Sequence, residues 1–426
     1  MAIFDTTAYA SALKIKYGPR LVSQVNDKIT ALKLFSDSRD EWEGLRVEYP
    51  VLIGRGQSFM AHGSLGLLPT PQNETTLSVQ IPVKWVRGRI QFEIAVMKAS
   101  LRSSGAFARA NDTLMNRLIT NLSDELNRML SSGSGTGVLA LVDGATTGTT
   151  ITVDAPAGIA NDLFGSRYLQ PNMVVAFANT TTINGIRTLG AVTSETGATP
   201  GFTIDTAFST TDNDNIVRAA NTTVTNLTND TSYNNEPMGL EGIVDDGTLV
   251  TTFHNISRTT YPDWQATRLS VSGLSLDALQ RLMDTIDQQS GQMPTDFMVH
   301  HSVRRAYLAL VDTARTFMQT GQGPGKFDLG QEPSGLDLSY NGYPIHTDKD
   351  IMLGEWLAVN KEHLIRYVLV EGEWAEETGS MFRAVSGQDA LEAIYRVGVN
   401  YGTDQCNSHG KLVGMSQTNA IARHVV

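Results

Sequence analysis

One cysteine in 426 residues, Cys406, excludes an intrachain disulfide and any Cys-rich zinc site. Charged residues are also scarce, at 18% against the usual quarter, and the basic ones are scarcer: 33 Lys and Arg against 44 Asp and Glu, a net charge of −11. No run of five or six Lys or Arg occurs, which disfavours phosphate binding as the main task. No stretch approaches 18 apolar residues, the length that crosses a bilayer as a helix. Met1–Asp5 does not open a basic segment followed by an apolar one, so synthesis in a reducing cytoplasm, away from membranes, is the expectation. Lysine is missing from the whole interval between Lys98 and Lys326, where Arg carries the positive charge.

Enough apolar residues are present, 41%, to build a sizeable core, and the length allows two to four domains of about 100–200 residues. Residues 6–36 read as helix in two pieces broken at Gly18-Pro19, followed by a polar run from Ser36 to Glu41. Residues 47–96 read as a long two-stranded excursion. Val47–Ile53 leads out, 54–75 is rich in turn formers, and Thr76–Val83 continues into Trp85–Met97 as the returning limb. A continuous limb of that length would reach about 60 Å at about 3.3 Å per residue, too far to fold into one core without bending. Residues 105–131 form the clearest helix. Leu114, Leu118, Leu122, Leu126 and Met129 recur on one face, and Gly133-Ser-Gly-Thr-Gly137 terminates it.

Residues 146–231 differ from the rest, with 21 Thr in 86 positions and short Val/Ile/Thr runs between Gly, Asn and Asp. They predict a small β unit inserted into a larger domain. From 233 the chain is mixed α/β. A helix follows Ser275 as N-cap, a strand covers Asp296–His300, and Ser302 is a candidate cap for the next helix. An irregular Gly-rich loop spans 319–341. Strands return at Trp356–Val359, Leu364–Val370, Phe382–Val385 and Ile394–Val399.

No constellation for chemistry emerges. Gly133–Gly137 follows a helix, whereas a dinucleotide loop follows a strand and opens a helix, and Gly321-Gln-Gly-Pro-Gly-Lys326 lacks the first glycine and the terminal hydroxyl of a P-loop. The eight histidines form no His-Glu-x-x-His pair, and His300-His301, read on one strand, would point apart. Asp212-Asn-Asp-Asn215 begins like a calcium loop but lacks its glycine and distal Glu. Glu371, Glu373, Glu376 and Glu377 read as a solvated acidic hairpin tip around Trp374. The expectation is no enzyme, cofactor or metal. A projecting arm, a girder helix and an acidic surface without a catalytic site fit a subunit that completes its burial against copies of itself.

The order of these elements resembles the tailed-bacteriophage major capsid proteins of the Hong Kong 97-type fold, an α+β fold. The strings that carry it are Met238–Val244, Arg258–Trp264, the helix–strand pair 275–301, Gly342–Asp350 and Leu357–Asn360, in addition to the arm, the loop and the long helix. The resemblance implies an N-terminal arm over 1–46, an extended loop over 47–96, and a peripheral domain with a spine helix over 97–145. A β-rich insertion would cover 146–231, an axial domain 232–361, a peripheral return with its hairpin 362–400, and a C-terminal axial segment 401–426. It implies an icosahedral head around double-stranded DNA, built from pentamers and hexamers and assembled in the host cytoplasm. Scaffolding, portal and decoration proteins are the implied partners, the scaffold being a separate chain. Candidate contacts between subunits are Arg55, Trp85, Arg87 and Arg89 on the arm, opposite Glu373, Glu376 and Glu377. Some members weld neighbours through a lysine–asparagine bond; residues 54–75 hold no Lys, and Lys84 sits on the returning limb, so noncovalent contacts are expected. The other reading is a phage tail or baseplate component whose β insertion binds a glycan.

Overall fold

The computed structural model describes residues 30–38, 42, 44–54, 56, 58–64, 66–94, 107–154, 165–194, 200–318, 338–376 and 380–415. Most of the expected helical segment 6–36 lies outside them. Its end is a single 3-10 turn, Ala31–Leu34, and Ser36–Asp37 of the polar run forms a short strand.

The excursion is a hairpin of Arg46–Gly54 and Thr75–Pro82, paired antiparallel from Arg46↔Pro82 to Gly54↔Thr75. Its base is not free. Val79, Ile81 and Ile53 are buried in a core with Phe253, Tyr401 and Val399. The expected continuous returning limb breaks at Val83, whose N–H donates to Leu45 O (3.4 Å) and closes the hairpin. Pro82 has no N–H with which to carry a ladder further. The next strand, Lys84–Glu93, pairs instead with Ala390–Thr403, from Lys84↔Val399 to Glu93↔Ala390. Only the segment between Gly54 and Thr75 therefore stands clear as an arm.

Lys84–Glu93 belongs to a five-stranded sheet. Ala390–Thr403 lies at its centre, paired with Lys84–Glu93 on one side and Leu364–Trp374 and Arg383–Ala384 on the other, and Ser36–Asp37 runs parallel to Leu364–Trp374 at the edge. The long helix covers Phe107–Ser132, 26 residues and about 39 Å at 1.5 Å each. Leu122 and Leu130 are buried in the core beneath this sheet and Leu126 packs against it, as the apolar stripe predicts; the Leu114 side chain lies outside the described set. Gly137, with φ +72°, ends the glycine-rich terminator so close to Ser232 that a Cβ would sit 1.9 Å from its carbonyl oxygen. No other residue fits there.

The Thr-rich region is a closed six-stranded barrel, ordered Asn215–Arg218, Val138–Val142, Thr147–Asp154, Gly201–Ser209, Ile183–Ser194, Val174–Ala178 and back to the first. It begins at Val138 rather than near 146, because Leu139 and Val142 fill the barrel's own core with Val153, Phe177 and Phe202. Loop residues fasten it to the body. Arg167 Nη2 donates to Lys349 O (2.7 Å) and Ile351 O (3.1 Å), and Tyr168 Oη to Asp350 O (2.8 Å).

A six-stranded sheet completes the chain, ordered Thr267–Ser270, Gly410–Val413, Trp356–Val359, Asp296–Val299, Tyr343–Thr347 and Leu338–Tyr340. Helices Leu276–Ser290 and His301–Met318 pack against it through Leu282, Ile286, Val303 and Tyr307. Ser275 caps the first as expected, its Oγ accepting from Ala278 N (3.1 Å). Ser302 does not cap the second: it lies inside it, and its N–H donates to His300 Nδ1 (3.2 Å). The chain crosses between the two sheets twice, through residues 360–363 and 404–409. Arg258, fully buried, straps Met238–Val244 to its own segment by donating to Gly242 O and Ile243 O (each 2.8 Å).

Candidate assembly surface

The arm tip carries the clearest unsatisfied apolar surface. Leu67 is 91% exposed, Leu68 80%, Phe59 78% and Met60 58%, and Leu52 on the hairpin below is exposed as well. The hydrogen bonds of the tip are short-range: Gln72 N donates to Ser58 Oγ (2.7 Å), Ser58 Oγ to Gln72 O (3.0 Å) and Gly66 N to Gly63 O (2.8 Å). Single exposed leucines are ordinary; four large apolar side chains exposed together on one short segment make the tip a candidate contact surface.

The seven predicted contact residues fall into three groups. Arg55 and Glu377 lie outside the described residues. Trp85, Arg87 and Arg89, expected on the arm, stand inside the five-stranded sheet, because the chain leaves the hairpin at Val83. Trp85 is opposite Gly398, and the Arg87 guanidinium lies 5.5 Å from its ring centroid. Arg89 pairs with Glu392 at 2.6 Å. Glu373 accepts from Arg396 Nε (2.8 Å), and Arg396 stands opposite both Glu373 and Arg87, so one row of charges crosses three strands. Glu373 is thus on a strand, not at a tip, and Arg89 and Glu373 each have a partner within one chain. Glu376 is exposed beyond the strand end. Lys84 Nζ donates to Asn234 O (2.6 Å), and burial holds its pKa below the usual lysine value. It opens on a cleft of about 610 Å³ between the hairpin base and the end of the long helix.

Sequence reasoning missed a cluster of charge inside the body. Lys411, Glu241 and Glu355 are all buried; Lys411 Nζ lies 2.5 Å from Glu241 Oε2 and 3.8 Å from Glu355 Oε2. Burial, then repulsion from Glu241, holds Glu355 well above the usual carboxyl range. Burial acts on Glu241 too, but Lys411 and a hydrogen bond from Glu355 outweigh it and leave its pKa low. Burial works against the Lys411 ammonium, and the two carboxyls overcome it and raise its pKa. These directions favour one ammonium, one carboxylate and one carboxylic acid in the trio. No spacing could reveal it, because the partners are 170 positions apart.

His254, His300 and His409 are each pushed down to about 3 by burial and stay neutral. His300 and His301 do not point apart: the strand ends at Val299, the helix starts at His301, and the two rings are 5.6 Å apart. Burial pushes the Cys406 thiol up to about 12, far from a thiolate. Among the described residues no group of three or more His, Cys, Asp or Glu could hold a metal ion, and no helix is long and apolar enough to cross a membrane.

No family model matches the chain, and no curated protein matches its sequence. Solved structures do. A chain of the cyanophage A-1(L) capsid asymmetric unit aligns over 97% of this chain and 100% of its own, with a TM-score of 0.57 at 12% identity. The capsid of an empty GTA particle computed with C5 symmetry aligns over 97% and 100%, with a TM-score of 0.50 at 8% identity. This mixed α+β architecture is a fold shared with capsid shell proteins. Within it, the chain has the tailed-phage major capsid protein fold.

Proposed function

We infer that this chain is a major capsid protein of the Hong Kong 97 type. Copies of it meet around rotational axes as pentamers and hexamers and close an icosahedral shell around packaged double-stranded DNA. The observation that carries this reading is the likeness to the cyanophage capsid chain along the full length of both, which leaves no large part of the chain for another task.

The arm supplies the mechanism. Burying an apolar side chain contributes about 1.5–3 kcal/mol, so Phe59, Met60, Leu67 and Leu68 together offer about 6–12 kcal/mol per arm as an upper bound. Each copy gives one arm and receives another, the head-to-tail contact that closes rings. The five-stranded sheet and long helix form the peripheral domain, the six-stranded sheet the axial one, and the barrel the insertion. Arg55, Glu376 and Glu377 are contact candidates at the arm and sheet end, and Arg87 beside Trp85 is another. Arg89 and Glu373 already have partners within the chain, and exposed ion pairs contribute only about 0–1 kcal/mol. The net charge of −11 limits adhesion of the packaged genome to the wall. A scaffold, a portal and a decoration protein are partners of such a shell, which is assembled in the host cytoplasm and ends in the virion. Negative-stain microscopy of the expressed chain tests the reading: shells, or rings of five and six, support it, and rods, trimers or small single particles overturn it.

A further inference from the structure

The two crossovers between the sheets are tied together by a hydrogen-bond chain whose donors can be assigned from one fixed point. The backbone N–H of Glu362 donates to Asn360 Oδ1 (3.2 Å), which fixes the Asn360 amide. Asn360 Nδ2 then donates to Gln292 Oε1 (2.8 Å), which fixes the Gln292 amide at the end of helix Leu276–Ser290. That same oxygen lies 2.7 Å from His363 Nε2, so Nε2 must carry a hydrogen. His363 Nδ1 lies 2.7 Å from Asp404 Oδ1, which, with the carboxylate ionised, can only accept. Both ring nitrogens therefore donate. The His363–Asp404 pair holds one proton more than a neutral imidazole beside a carboxylate.

The neighbouring histidine has the opposite assignment. Asn360 N donates to His409 Nδ1 (3.1 Å), and His409 Nε2 faces Thr403 Oγ1 (3.0 Å), so His409 needs only one hydrogen, as a buried neutral ring has.

We propose that His363, as an imidazolium, is a proton-operated clamp across the junction of the two sheets. It ties the crossover 360–363 to the crossover 404–409 through Asp404, and both to the end of helix Leu276–Ser290 through Gln292. Loss of the proton leaves either Asp404 or the Gln292 oxygen facing a ring nitrogen with no hydrogen. The ring is within reach of solvent: it lines a cavity of about 300 Å³ with Asp404, Asp263 and Cys406, against the hairpin strand Val51–Ile53. The groups that face it are Asp404 and Asp263, both acidic; Cys406 and His409, both neutral; and Lys361 and Glu362 on its own turn, which offset one another. Asp404 is the only carboxylate among them bonded to the ring, so the clamp is closed when both ring nitrogens carry hydrogen and loosens when one is lost. This inference does not rest on the shell reading, since it concerns one chain.

Hydrogen exchange of the full-length chain between pH 5.5 and 8, corrected for the intrinsic pH dependence of exchange, reads the clamp directly. Protection of 361–366 and 402–407 should fall about tenfold across that range, the value of one charge-assisted hydrogen bond. Protection of 252–257 near neutral His254 should not change. In His363→Gln, or in Asp404→Asn should that variant fold better, the pH response should vanish. Nitrogen-15 NMR of labelled histidine, with His363 assigned by its loss in His363→Gln, should show both ring nitrogens protonated at pH 5.5. A flat wild-type profile, a pH response that survives in the variants, or a singly protonated ring at pH 5.5 overturns the proposal.

Discussion

Replacing Lys411 with Met removes the only ammonium of the buried trio while keeping the length and apolar bulk of the side chain. Glu241 and Glu355 then lie side by side, both inaccessible to water, with only the weaker influence of Arg268 in place of the ammonium. Burial and the Glu241 carboxylate favour the protonated form of Glu355 in the native chain. In the variant Glu241 must take one as well. Bringing a carboxyl of ordinary pKa, about 4.3, to the protonated form at pH 7 costs about 1.4 kcal/mol per pH unit, or about 3.7 kcal/mol. That agrees with the 3–5 kcal/mol typical of breaking a buried pair. The sign follows from a folded-state pKa raised above the unfolded one: the protonated form is free of cost below the unfolded pKa, and the penalty grows as pH rises. At pH 5 it should therefore shrink to about 1 kcal/mol. Glu355→Gln is the contrast, because Gln mimics the acid already present; it should cost under about 1 kcal/mol at pH 7. Urea unfolding of the unassembled chain, followed by fluorescence with Trp356 buried beside Glu355 as a reporter, measures both variants at pH 5 and 7. With a slope near 3 kcal/mol per molar, Lys411→Met should lower the midpoint by about 1.2 M at pH 7. A pH-independent loss, or equal damage from Glu355→Gln, would refute the charge assignment.

Phe177→Ala should cost about 3–5 kcal/mol, because Phe177 is fully buried between Phe202 and Phe208 in the barrel. Hydrogen exchange should show the loss confined to 138–218, with Trp356–Val359 still protected, since the barrel has its own core; uniform loss would contradict this. Gly137 and Gly144 share a positive φ, +72° and +75°, yet only Gly137 meets a neighbour. Gly144→Ala should cost about 1 kcal/mol and Gly137→Ala well over about 3 kcal/mol, as thermal unfolding would measure. Assembled particles boiled in denaturing detergent should run at the monomer mass of 46.2 kDa, because Lys84 is engaged with Asn234 and the tip has no lysine; ladders would reject that.

Local pattern made much of this fold legible. The leucine stripe of Phe107–Ser132, the Ser275 cap and the alternating barrel strands all depend on neighbours within a few positions. What escaped depends on distant partners. The limb from Thr76 to Met97 reads as continuous in sequence, and only the availability of Ala390–Thr403 as a partner splits it at Val83. For the same reason Trp85, Arg87 and Arg89 fall in a sheet and not on the arm. Val138–Val142 precedes the Thr-rich stretch and so falls outside the insertion expected over 146–231, but its apolar side chains are needed inside the barrel. Lys411 with Glu241, and His363 with Asp404 and Gln292, are joined only by tertiary contact. The tip does have a sequence signal: the turn-rich segment 54–75 holds five large apolar residues, Phe59, Met60, Leu65, Leu67 and Leu68, which is unusual for solvated chain.

Sedimentation velocity of the full-length chain beside Leu67→Asp/Leu68→Asp tests the central claim most directly, because two carboxylates on the tip leave the fold of one copy untouched and forbid its burial on another. The native chain should sediment as rings or shells, and the double variant as a folded species of 46.2 kDa with unchanged circular dichroism. Shells of normal size from the double variant, or a native chain that stays at 46.2 kDa at every concentration, would contradict the account.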